Sequence, residues 1–209
     1  MKDIIIVGAS GFGTEILWLA RRLGRNVAGF LDDTTEKHKT HILGVPVLGA
    51  INECGKYGSN EFIVAIGSPR GRASVVSDLT GHGIVEYATL VDPSAIVGEN
   101  VSIGEGSIVC AGVICTVNVS IGRHTIINLN STVGHEVEID DFVTIAPNVS
   151  ISGNIYLNNL VEVGTGATLR EKLEVGAGSV VGMGSVLTKS VDENKIVVGN
   201  PARVIKSLD

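Results

Sequence analysis

Residues 95–190 read AIVGEN, VSIGEG, SIVCAG, VICTVN, VSIGRH, TIINLN, STVGHE, VEIDDF, VTIAPN, VSISGN, IYLNNL, VEVGTG, ATLREK, LEVGAG, SVVGMG and SVLTKS, sixteen hexads without a gap. The third place is aliphatic from Val97 to Leu187, with the small thiol Cys115 as the single exception. The first place is always small or aliphatic, and Gly, Asn and Asp gather at places four to six. A strict period of six means one short strand and one turn per hexad, with three hexads closing a triangular coil. Each third-place side chain then points into the prism and stacks on its counterpart eighteen residues away. Gly and Asn take the corners, where positive φ costs them least. Sixteen hexads make about five coils, a prism roughly 25 Å tall at ~4.8 Å per strand. An antiparallel sandwich would instead show period-two alternation and irregular turn spacing.

Ahead of the repeat the pattern changes. Ile4-Ile5-Ile6-Val7 reads as a buried parallel strand running into Gly8-Ala9-Ser10-Gly11-Phe12-Gly13 and then a helix from Thr14 to Arg22. A glycine turn between strand and helix lets a phosphate approach the free N–H groups of the helix N-terminus. A second strand, Val27–Leu31, ends in Asp32-Asp33, a position suited to a ribose or base edge, and a third, Phe62–Ile66, ends in Gly67-Ser68. The loop spacing G-x-x-G-x-G is not the usual dinucleotide motif, and a nicotinamide dehydrogenase would leave the hexads unexplained. Trp18 is expected in the core. Residues 34–61, around Gly44–Gly49, are expected to form surface connections with a short helix, and residues 71–83 a second helix. The fold expected is an α/β Rossmann-like domain over 1–88, an all-β parallel β-helix of triangular coils over 89–191, and a C-terminal tail over 192–209.

Composition narrows the partners. Aromatic residues make up 4% of the 209 residues and Gly numbers 27, which suits many tight turns around an aliphatic core. A net charge of −6 without a Lys/Arg cluster argues against nucleic acid. Cys54, Cys110 and Cys115 show no metal-ligand spacing and no closed disulfide pattern, so reduced thiols in a cytoplasmic protein are expected, with no metal. The apolar run at residues 4–7 is too short for a signal peptide or a membrane span.

Of five histidines only His124 and His135 lie in the repeat, at outward-facing turn places. His135 is followed directly by Glu136. Imidazole beside a carboxylate suits a general base near neutral pH. The Gly153 amide, eighteen residues on, falls one coil further along the same turn column as His135, where a backbone N–H can serve as a fixed donor. His124 is expected to be a surface residue without function.

The hexads resemble those of the hexapeptide-repeat acyltransferases over all of 95–190, and Val197-Val198-Gly199-Asn200-Pro201-Ala202-Arg203 looks like the motif that closes such prisms. The resemblance implies a left-handed coil, a homotrimer about the prism axis, and CoA lying between neighbouring prisms. Residues 134–142 with Gly153-Asn154 are similar to the active-site coil of the acetyltransferases of UDP-4-amino sugars and of the sialic acid O-acetyltransferases. That likeness makes His135, Glu136 and Gly153 the catalytic set, places Asn128 near the acceptor, and puts Thr144, Thr165 and Met183 toward acetyl-CoA. In the first domain it matches Ser10, Gly11, Phe12, Asp32, Asp33 and Gly67 to a nucleotide-sugar site. Two positions depart from the pattern: Thr144 and Phe12 each stand where the UDP-amino-sugar enzymes often carry histidine. The activity implied is acetyl-CoA-dependent N-acetylation of a nucleotide-linked amino sugar for surface glycan synthesis. The alternatives are O-acetylation of sialic acid or another glycan sugar, and a non-catalytic sugar-nucleotide-binding trimer.

Overall fold

The structure, a computed structural model, describes residues 1–208. Its first domain is a five-stranded sheet of order β3-β4-β2-β1-β5, with β1 Ile4–Val7, β2 Val27–Leu31, β3 His41–Ile42, β4 Val45–Gly49 and β5 Glu61–Val64. Helix α1 (Gly11–Arg22) covers one face, and α2 (Pro69–Gly81) with the short helix Ile51–Tyr57 covers the other. The β1–α1 turn is tight: Gly8 has φ +106°, and a Cβ on Gly13 would run into the Gly8 carbonyl. Only glycine allows strand and helix to approach this closely.

Two expectations fail here. Trp18 is 46% exposed, with the Arg22 guanidinium 5.0 Å over its ring. The buried positions of α1 are Ile16, Leu17, Leu19 and Ala20, which set the helical phase and turn Trp18 to the side that carries Glu15, Arg21 and Arg22. Val45–Gly49 is not a surface connection but a strand parallel to β2, with Val45, Val47 and Gly49 buried by its period-two alternation.

The hexads form three parallel sheets. The first runs from Ile96–Val97 to Val186–Leu187 and the second from Val101–Ile103 to Glu174–Val175. The third starts at Leu90–Val91 and continues past Val180–Val181 into an antiparallel hairpin, Lys195–Gly199 with Ala202–Ser207. The segment expected as a tail is therefore this hairpin. Register advances by eighteen, as in Ile114↔Thr132 and Thr144↔Glu162.

First-place residues point inward as well as third-place ones, including polar ones. Ser107, Thr125 and Ser131 are wholly buried. Each satisfies its hydroxyl at a corner: Ser131 Oγ donates to the Ala146 carbonyl at 2.8 Å and accepts the Val149 N–H at 3.1 Å, and Thr125 does the same with Asp140 and Val143. A small hydroxyl there thus costs no unpaired polar group.

The first domain packs on the third face. Ile108 and Ile126, at outward-facing second places, are buried in one cluster with Ile4, Ile6, Leu17 and Ala88. Beside this contact lies His124, only 2% exposed and therefore not the surface residue expected from sequence. Tyr87 meets its ring edge-on at 4.6 Å, Phe142 stacks at 5.2 Å, and neither ring nitrogen has a hydrogen-bond partner among the described residues. Burial, reinforced by Arg123 and Arg72 against the opposing pull of Glu105 and Asp141, pushes the imidazole down to about 4. Its value in the unfolded chain is ~6.5, so between the two values the unfolded chain binds a proton that the folded chain refuses. Stability contributed by neutral His124 is therefore complete above pH ~6.5, falls as pH drops toward 4, and levels off below that, a loss of about 3 kcal/mol. His124→Phe should flatten this part of the stability–pH curve, as measured by thermal melts between pH 7 and 4. An unchanged slope would mean that His124 is not the group titrating.

Candidate functional site

His135 sits at the corner between the first and second faces, in the turn from Thr132–Val133 to Glu138–Ile139. Its side chain is exposed, and Nδ1 lies 3.3 Å from Glu136 Oε2. The turn one coil later lies directly beneath: the Asn154 N–H donates to the His135 carbonyl at 2.9 Å, and Gly153 is buried under the imidazole. A Cβ on Gly153 would stand 2.5 Å from both Cε1 and Nε2 of that ring. Glycine is thus required by the imidazole itself, since Gly153 does not have positive φ. Among the described residues no acceptor takes the Gly153 N–H.

Glu136 occupies the left-handed position of the corner, φ +56°. The same column reads Asn100, Asn118, Glu136, Asn154 and Lys172, all with positive φ. Asn tolerates this conformation and Glu is disfavoured in it, so the carboxylate is held here against local preference. An open polar groove of about 560 Å³ runs from Glu136 over the second face, past Glu138, Tyr156 and Glu174. All three thiols are buried, and burial pushes Cys110 up to about 12 and Cys115 up to about 11, which leaves neither available as a nucleophile.

The glycine loop of the first domain is organised by Asp32. Its carboxylate accepts the Ala9 N–H at 2.7 Å and the Thr34 N–H at 2.9 Å, and Lys37 Nζ lies at 3.1 Å. Burial alone would raise this carboxyl, but the hydrogen bonds from Thr34, Ala9 and Lys37 prevail and hold it at about 2. Asp32 is therefore turned inward to shape the loop rather than left open to a ligand. Asp33 is exposed, and only its Oδ1 is engaged, by the Ile51 N–H at 2.9 Å. Ser10 and Gly11 are exposed at the α1 N-terminus, where Ser10 makes no side-chain cap. Phe12 is half-buried, and Gly67 faces open space. Lys37 and His38, whose Nε2 lies 2.7 Å from the Asp32 carbonyl, join this cluster without any signal in the sequence pattern.

The residues matched to acetyl-CoA divide. Thr165 and Met183 are exposed and stacked one coil apart at the corner between the third and first faces, with the Gly184 N–H donating to the Thr165 carbonyl at 2.8 Å. Asn128 lies at the same corner, its Oδ1 accepting the Leu129 N–H at 2.7 Å. Thr144 is different. It is buried under the first domain, donating to the Gly67 carbonyl at 2.7 Å and accepting from Arg72 at 2.9 Å. With its hydroxyl fully engaged in that seam, it is not an open contact for acetyl-CoA.

Within one chain, then, the predicted set separates. His135, Glu136 and Gly153 stand at one corner, while the first domain, Asn128, Thr165 and Met183 stand on the third face and its far edge. The width of the first face, at most about 20 Å for a six-residue hexad, lies between them.

A family model described as the PglD N-terminal domain matches residues 3–79. The UDP-N-acetylbacillosamine N-acetyltransferase of Bacillus subtilis (strain 168) is 35% identical over 116 residues, which are 53% of this chain and about half, 52%, of that relative. The solved structure of WeeI from Acinetobacter baumannii AYE is 33% identical, with a TM-score of 0.87, covering 98% of this chain and 100% of its own. PerB from Caulobacter crescentus, solved in complex with CoA and GDP-perosamine, is 27% identical with a TM-score of 0.91, covering 99% of this chain and 98% of its own. No helix among the described residues is long and apolar enough to cross a membrane.

Gly153→Ala tests the geometry of the corner. The atoms nearest the new methyl belong to an exposed ring that can swing away, so stability should move by no more than about 0.5 kcal/mol. The ring must leave its seat, and the imidazole NMR shifts of His135 should change with it. Wild-type shifts in Gly153→Ala would show that the ring does not rest on this glycine.

Proposed function

Because this chain belongs to the sugar acetyltransferases that join a PglD-type N-terminal domain to a hexapeptide β-helix, we propose that it transfers the acetyl group of acetyl-CoA to the amine of a nucleotide-linked amino sugar. The observation that carries this reading is the imidazole of His135, held between the Glu136 carboxylate and the bare Cα of Gly153. Glu136 accepts a hydrogen bond from Nδ1–H, which leaves Nε2 with the free lone pair of a base. The amine attacks the thioester carbon as Nε2 takes its proton. The oxyanion is met by the Gly153 N–H, and collapse expels CoA thiolate, which recovers the proton from the imidazolium. N-acetylation is favoured because the relative above that is named by its activity is an N-acetyltransferase. Ser10, Gly11, Phe12, Asp33 and Gly67 are assigned to the nucleotide sugar, with Asp32 shaping their loop. Asn128 lies toward the acceptor, and Thr165 and Met183 lie along CoA.

The separation of these groups in one chain supports a homotrimer. The third face is covered by the chain's own first domain, and the second carries Glu138, Tyr156 and Glu174. The first face presents Ile96, Ile114, Thr132, Ser150, Thr168 and Val186, an uncharged column suited to another copy. Packing there brings the His135 corner of one copy beside the Thr165–Met183 corner of the next. Sedimentation should give a trimer at micromolar concentration. Mixed trimers of His135→Ala chains with chains disabled at Asp33 should recover turnover that neither parent has, and a fully active monomer would refute the shared site.

The chemistry is tested by His135→Ala in a CoA thiol-release assay over a panel of nucleotide amino sugars and free sialic acids. The side chain lies outside the core, so the melting temperature should hold within about 0.5 kcal/mol of stability. The general base contributes ~10²–10⁴-fold, so kcat should fall at least about a hundredfold. Retention of more than about a tenth of turnover would remove His135 from the base role.

A further inference from the structure

The most heavily bonded side chain among the described residues lies outside the catalytic corner. Arg72, in the first turns of α2, is 1% exposed. Its Nε donates to the His124 carbonyl at 2.7 Å, and Nη1 donates to the Ile66 and Gly67 carbonyls at 2.6 and 3.1 Å. Nη2 donates to the Phe142 and Val143 carbonyls at 3.0 and 3.1 Å and to Thr144 Oγ1 at 2.9 Å. Among the described residues no carboxylate touches it. Five carbonyls and a hydroxyl replace water around the cation. Burial pulls the guanidinium down to about 9, opposed by Glu162, and this still leaves it charged at neutral pH.

The partners fall in two groups. Ile66 and Gly67 form the loop that closes β5 and borders the nucleotide-sugar crevice. His124, Phe142, Val143 and Thr144 belong to the prism, at its corner between the second and third faces and on the third-face strand that follows. Thr144 Oγ1 closes the loop of contacts by donating to the Gly67 carbonyl at 2.7 Å. A guanidinium's planar fork can span both groups at once, which an ammonium with three donors on a flexible stem cannot.

Resting on the function proposed above, we infer that Arg72 is a positioning residue: it fixes the angle of the acceptor-holding domain on the prism, so that a nucleotide-anchored sugar arrives in line with the imidazole. The lever argument is simple. A domain of this size has a radius of about 13 Å, and a tilt of about 5° moves its rim by roughly 1 Å. A misplacement of about 1 Å can cost about a hundredfold in rate. A sugar that is not anchored through its nucleotide finds the imidazole by diffusion and is indifferent to the tilt. The same contacts account for threonine at 144: its hydroxyl belongs to the seam, and a histidine there would have to displace Arg72 or the Gly67 carbonyl.

The test compares two acceptors in the whole protein, an amino sugar on its nucleotide diphosphate and the same amino sugar free. In the wild type the nucleotide-linked sugar should be preferred in kcat/KM. Arg72→Lys should lower that preference by about tenfold or more while turnover of the free sugar and acetyl-CoA saturation stay near wild type. Thr144→Val, which removes one of the six partners, should shift the preference the same way by less. The double variant should fall short of the product of the two, because both act on one seam. Equal losses on both acceptors in Arg72→Lys, with a lowered melting temperature, would assign Arg72 to stability alone and overturn the inference, as would an unchanged preference in both variants. Failure of the wild type to use any nucleotide amino sugar would instead refute the function on which the inference rests, and that outcome is visible before any variant is made.

Discussion

Every coil of the prism hydrogen-bonds to the coil eighteen residues away, and the rest of the molecule depends on that register. Strands of two or three residues are too short to be stable singly, but each one inside a sheet is paired on both sides by its counterparts, as Val133 is by Cys115 and Ile151. The pairing puts first and third places inside and second places outside on all three faces. An inward place must be apolar or must satisfy itself, and the corner hydroxyls of Ser107, Thr125 and Ser131 do so with backbone groups of the same and the next coil. The result is a rigid rod whose outward columns can each be given a separate task.

Those tasks divide by face. The third face loses its outward Ile108 and Ile126 to the first domain, the second remains polar and open, and the first stays uncharged. Corners divide in the same way. One carries the imidazole on a glycine, another the aromatic stack of His124 and Phe142, and the third the exposed Thr165 and Met183. A rigid triangular rod cannot fold one corner onto another. Chemistry that needs two of them must therefore bring in a second rod.

The seam between the domains runs against the usual rule that buried charges are paired with opposite charges. Arg72 is solvated by five carbonyls and one hydroxyl, and His124 nearby stays neutral with neither nitrogen partnered among the described residues. The two observations are related, because a cation already in the seam raises the cost of a second one and contributes to the low imidazole value. The arrangement favours a single docking angle over raw stability: carbonyls at fixed positions in two domains accept the guanidinium only when both are correctly placed.

The hexad period, the inward third places and the strand–glycine–helix opening are all legible in the sequence, because they are properties of the local backbone and recur at fixed spacing. The column that sets Gly153 under His135, with Glu136 next in the same turn, is legible for the same reason, since eighteen residues is one coil. What an outward-facing residue meets is not local. His124 and Thr144 occupy the same kinds of place as exposed residues a few hexads away, and only the docking of the first domain decides that they are buried. Arg72 carries no pattern at all, and its six partners lie up to 72 residues from it along the chain. Trp18 was placed outside by the phase of one helix against one sheet. Periodicity determined which way each side chain points, and tertiary packing alone decided whether water, another domain or an open groove stands in front of it.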